Sequence, residues 1–96
     1  MKTLDSMERA ALRNLLPAWF IREEALERAF RFADFREALA FVVRIGAVAE
    51  ELGHHPDIDI RYSVVHLSLT THDAGGLTAA DVELAKRIDA CARRAG

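Results

Sequence analysis

The stretch DFREALAFVVRIGAVAEELGHHPDIDIRYSVVHLSLTTH, from Asp34 to His72, changes its hydrophobic period once, and that change decides the fold. Up to Leu52 the apolar residues recur at helical spacing. Phe35, Leu39, Val42, Gly46 and Ala49 share one face, and Ala38, Phe41, Ile45, Val48 and Leu52 share the adjoining one. Asp34 is placed to cap this helix and Gly53 to end it. An apolar arc this wide suits burial against a second subunit as well as burial within the chain's own small core. After Pro56 the period becomes two. Ile58 and Ile60 lie on one side, Tyr62-Ser63-Val64-Val65 follow, and His66 to His72 alternate strictly. A hairpin or a bulged bend joins the two strands. In the second, Leu67, Leu69 and Thr71 point one way, and His66, Ser68, Thr70 and His72 the other.

Upstream, Asp5 with Glu8 three residues later reads as a capped helix start, with Leu12, Leu15 and Leu16 apolar before Pro17. The segment from Ala18 to Phe32 supports two readings. Leu26 and Phe30 after a Glu-rich start suit a helix, whereas Leu26, Arg28, Phe30 and Phe32 against Glu27, Ala29 and Arg31 suit a strand. Downstream, Asp73-Ala74-Gly75-Gly76 is a turn. Thr78 with Asp81 then opens a last helix, whose Val82, Ala85, Ile88 and Ala92 form an inward stripe. The order helix, undecided hairpin, helix, hairpin, helix suggests an α+β sandwich.

Ninety-six residues, 51% hydrophobic and 29% charged, are expected to form a single domain over residues 1–96. Thirteen basic and fifteen acidic side chains leave a formal charge of -2, which offers no electrostatic excess for direct nucleic-acid binding. The longest apolar run, Phe41 to Ala49, is broken by Arg44 and is too short to span a membrane. Asp5, Glu8, Arg9 and Arg13 interrupt any secretory signal, so a cytoplasmic location is expected. Cys91, the lone cysteine, reads as small apolar packing between Ala90 and Ala92.

All four histidines fall between His54 and His72. His54 and His55 follow the long helix, where the negative end of its dipole and the carboxylates Glu50 and Glu51 favour a protonated ring suited to general-acid work. His72 stands beside a glycine turn, where an imidazole can serve as the base. The same residues also fit exposed loop polarity, and composition and spacing leave both readings open. With no His-Glu-x-x-His pattern and no cysteine pair, no metal is expected. Ser68, Thr70 and Thr71 sit in no nucleophile elbow and read as strand residues or hydrogen-bond donors to a ligand. Asp81 has a structural explanation in the capping box, and Tyr62 reads as a strand aromatic.

Taken together, Glu50, His54-His55-Pro56, Tyr62, His66, His72, Gly76-Leu77 and Asp81 form a pattern that resembles the pterin-4a-carbinolamine dehydratase family. Trp19 and Phe30-Arg31-Phe32-Ala33-Asp34-Phe35 extend the resemblance upstream. It implies a two-layer α+β sandwich of three helices and a four-stranded antiparallel sheet in the order α-β-β-α-β-β-α. It further implies a hydro-lyase that converts 4a-hydroxytetrahydropterin, the by-product of aromatic amino acid hydroxylases, to quinonoid dihydropterin. No cofactor beyond the substrate is implied. By the same resemblance His54, His55 and His72 are the catalytic histidines. Gly53, Thr70, Thr71 and Asp73 join them in binding the pterin, and Glu50 and Asp81 orient the rings. A homodimer or homotetramer is implied, and some relatives instead act as dimerisation cofactors or assembly factors. Two positions depart from the family pattern. Ile58 stands where many members carry a tryptophan beside the pterin, and Gly53 replaces an acidic or polar residue.

Overall fold

Local capping defines the three helices. In the computed structural model, which describes residues 1–95, helix α1 (Ser6–Leu15) opens with a complete capping box. The Asp5 carboxylate accepts from the Glu8 amide at 2.8 Å, and the Glu8 carboxylate from the Asp5 amide at 2.9 Å. Two strands follow, β1 (Phe20–Arg22) and β2 (Ala25–Arg31). The segment whose pattern supported both helix and strand is thus a hairpin, turning at Glu23 and Glu24. Helix α2 (Phe35–Leu52) starts at Asp34, whose side chain accepts from the Glu37 amide at 2.9 Å. Strands β3 (Asp57–Arg61) and β4 (Val64–Leu69) come next, then a single 3-10 turn (His72–Ala74) and helix α3 (Ala79–Ala95). Two expectations need correcting. Tyr62 occupies the β3–β4 turn with φ of 50° instead of lying in a strand. Strand β4 ends at Leu69, so the alternation seen in the sequence does not carry to His72.

The sheet is antiparallel throughout, in the order β1-β2-β4-β3. Its register decides which residues enter the core. Leu26 stands opposite Leu69, Arg28 opposite Leu67 and Phe30 opposite Val65, so these share one face. That face is covered by Ala38, Phe41 and Ile45 of α2 and by Leu84, Ala85 and Ile88 of α3, with Leu12 and Leu16 of the first helical segment closing one end. At the centre, the Phe41 ring lies 4.9 Å from Phe30 and 5.0 Å from Phe32, centroid to centroid. Arg28 also points inward, which costs desolvation unless its charge is met. Asp89 of α3 meets it at 2.8 Å, accepts from the Trp19 indole N–H at 2.9 Å, and so staples α3 to the sheet. Cys91 packs partly buried against the core, as its setting suggested.

The opposite face of the sheet is open. His66 projects there between Ala29 and Asp59, and with Phe20, Glu27, Asp57 and Ser68 it borders a hollow of about 600 Å³. Among the described residues, no helix is long and apolar enough to cross a membrane.

Candidate active site

Gly53 directs the chain out of α2 and into the site. Its backbone is left-handed, with φ of 65° and ψ of 27°, a conformation that costs a glycine little. The Gly53 amide donates to the Glu50 carbonyl at 3.3 Å and the His54 amide to the Ala49 carbonyl at 3.1 Å. These paired bonds make a Schellman motif, which returns His54 toward the helix it has just left. The neighbouring His55 turns outward. Its Nε2 engages the Glu50 carboxylate at an exposed position.

The His54 ring is mostly buried, and its Nε2 stands 2.6 Å from Oδ1 of Asp81. Asp81 belongs to the first turn of α3 and is fully buried. A buried carboxylate is tolerated only when its oxygens are met by donors. Oδ2 of Asp81 accepts from the Thr71 hydroxyl at 2.8 Å and from the Thr78 amide at 2.9 Å. The positive end of the α3 dipole acts on it in addition. Asp81 therefore has partners on both of its oxygens. It completes the cap of α3 with Thr78, whose hydroxyl accepts from the Ala80 amide at 3.2 Å, and its free oxygen orients a histidine.

Asp81 is also where the two histidine-bearing segments converge. Thr71, which it binds, immediately precedes His72, and an isolated bridge between Thr71 and Gly76 closes the loop around the 3-10 turn. His72 and Asp73 are exposed on that turn. The Thr70 hydroxyl donates to the Glu24 carbonyl at 2.6 Å and anchors the end of β4 to the β1–β2 turn. Of the residues named from the sequence, His54 and Thr71 thus meet at the Asp81 carboxylate, with Gly53 preceding His54 and His72 following Thr71 in the chain. Glu50 and His55 form a separate exposed pair at the end of α2. His66 lies apart on the open sheet, and the hollow there includes none of the other three histidines. Sequence reasoning named Thr78 only as a helix start and missed its place beside Thr71 and Asp81. The capping box was the signal that could have found it.

Comparison with known proteins adds to this geometry. Residues 2–91 match the family model described as pterin 4 alpha carbinolamine dehydratase. The chain belongs to that family. Within the pterin-4a-carbinolamine dehydratases it is 50% identical over 88 residues to a relative from Thermomicrobium roseum, covering 92% of this chain and 95% of that one. It is 44% identical over 89 residues to one from Sulfurisphaera tokodaii, covering 93% and 96%. Both relatives are named for pterin-4-alpha-carbinolamine dehydratase, a hydro-lyase. The crystal structure of a transcriptional coactivator/pterin dehydratase from Brucella melitensis superposes with a TM-score of 0.90 at 32% identity, covering 95% of this chain and 99% of that one. A pterin dehydratase-like protein identified as a RuBisCO assembly factor in the alpha-carboxysome superposes with a TM-score of 0.63 at 28% identity, covering 77% and 86%. The fold implied by the resemblance, including its element order, is the one found.

Proposed function

We propose that this protein dehydrates 4a-hydroxytetrahydropterin to quinonoid dihydropterin and water, and so returns a spent pterin toward reuse after an aromatic amino acid hydroxylase. In the reaction a proton is delivered to the 4a-hydroxyl, which leaves as water when the C4a–O bond breaks. A second proton is lost from ring N5, so the acid and the base end with their protons exchanged. His54 and His72 are the acid/base pair and His55 contacts the substrate. Asp81 orients His54 and Glu50 orients His55, a role that sets which ring nitrogen carries the proton. The observation that carries this reading is the hydrogen bond between His54 and the buried Asp81. A partly buried histidine paired with a buried carboxylate that two further donors hold is the arrangement expected of an oriented acid/base group.

The test is turnover of freshly generated 4a-hydroxytetrahydropterin. The wild-type protein is expected to accelerate loss of water. His54→Ala and His72→Ala are each expected to lower kcat at least about tenfold, or about 1.4 kcal/mol of barrier. His55→Ala is expected to act mainly on KM. An inert wild-type protein would overturn the reading.

One observation favours a second role. Phe35, Leu39 and Val43 follow one line along α2 and remain 47%, 45% and 66% exposed. An apolar line of this kind suits a partner, and the assembly-factor relative shows that the fold serves such roles elsewhere. The partner proposed for this chain is a second copy of itself, in a homodimer or homotetramer.

A further inference from the structure

We propose that Thr71 is a positioning residue that, with its proton directed by Thr78, holds Asp81 so that His54 keeps its proton on Nε2 and presents Nδ1 to the substrate. The inference rests on the reading of His54 as an acid/base group and deepens it, because it names the reacting nitrogen and the residues that select it.

The direction of every proton in the network follows from donor and acceptor counting. A threonine hydroxyl has one proton to give. That of Thr71 faces the Asp81 carboxylate at 2.8 Å and is donated there. The contact between Thr71 and Thr78, also 2.8 Å, must then be donated by Thr78. The Thr78 oxygen is free to give its proton because it accepts from the Ala80 amide. The chain therefore runs one way, from the Ala80 N–H through Thr78 and Thr71 to Oδ2 of Asp81. The Thr78 amide donates to the same oxygen.

With Oδ2 supplied by two donors, Oδ1 is left facing Nε2 of His54 at 2.6 Å. A bare nitrogen lone pair opposed to a carboxylate oxygen at that distance would be repulsive, so Nε2 carries the hydrogen. Nδ1 is then the nitrogen that exchanges a proton with the substrate. Thr71 also bonds across from the segment that carries His72. One hydroxyl thus sets the carboxylate and ties the two histidine-bearing stretches together. This changes the role of Thr71 from the pterin contact implied by family resemblance to a residue whose hydroxyl is already committed to protein.

The experiment uses the full-length protein with 15N-labelled histidine and reads the His54 ring by long-range 1H–15N spectra without substrate, alongside kcat and KM. The wild type is expected to show a single form with the hydrogen on Nε2. Thr71→Val keeps the shape and removes the hydroxyl. It is expected to give a mixture of ring forms and an approximately tenfold lower kcat with KM little changed, while Thr71→Ser restores both. Thr78→Val, acting one step further back, should shift the ring in the same direction and serves if Thr71→Val folds poorly. A wild-type ring protonated on Nδ1 alone, or a Thr71→Val protein whose His54 spectrum matches the wild type, would overturn the proposal. Failure of the dehydratase reading is distinguishable, because it would appear as an inert wild type whose ring spectrum still responds to Thr71.

Discussion

His54 and Asp81 lie 27 residues apart in the chain, yet their side chains meet at 2.6 Å, so the exit of one helix is joined to the entrance of another. The bond serves two purposes. It meets the charge of a carboxylate with no access to solvent, and it fixes the orientation of a ring at the edge of the protein.

Replacing Asp81 by asparagine should separate these purposes. The amide oxygen can still accept from the Thr78 N–H and maintain the helix cap, but the charge that orders His54 is gone. Activity is expected to fall by about 10- to 100-fold with the far-ultraviolet spectrum unchanged. Asp81→Ala removes the cap as well, and its midpoint in urea should lie below that of Asp81→Asn.

The staple made by Asp89 should matter for stability alone. Asp89→Ala leaves both the Arg28 guanidinium and the Trp19 indole N–H without their acceptor. The expected loss is about 2 kcal/mol in chemical denaturation, accompanied by a change in Trp19 fluorescence. Turnover per folded molecule should remain near that of the wild type.

Phe41 joins α2 to the aromatic residues at the end of β2. Truncating it to alanine removes both ring contacts from a fully buried position. The expected cost is about 3–5 kcal/mol, measurable as a lower denaturation midpoint. Phe41→Leu, which keeps much of the volume, should lose far less.

The exposed line on α2 gives a prediction about assembly. Leu39→Glu or Val43→Glu changes a solvent-facing position, so monomer stability should move by no more than about 0.5 kcal/mol. Sedimentation should show the oligomer shifted to smaller species. An oligomer that persists unchanged in both variants would mean that copies associate through another surface.

Much of this architecture was readable from the chain. The caps at Asp5, Asp34 and Thr78 and the stop at Gly53 act over three or four residues, so the helix ends follow from local chemistry alone. The two periods of the stretch from Asp34 to His72 marked α2 and β4 for the same reason. The segment from Ala18 to Phe32 was not readable in this way, because its alternating and helical patterns compete. Pairing with β4 decides it, by burying Leu26 and Phe30 opposite Leu69 and Val65. The end of β4 was overrun in the sequence reading because Thr70, Thr71 and His72 continue an alternation of residue types after the ladder has stopped.

For the site, the sequence alone determined which side chains were available: four histidines within one stretch, a glycine to turn the helix end, and an aspartate at a helix start. Only the tertiary structure decided that His54 is held against a buried carboxylate, that His55 turns to Glu50, that His66 faces the open sheet, and that the Thr71 and Thr78 hydroxyls lie together beside Asp81. The physical reason is range. Periodicity and capping report interactions within a turn or two of backbone, whereas a hydrogen bond between residues 54 and 81 exists only after the sheet and both helices have packed around one core.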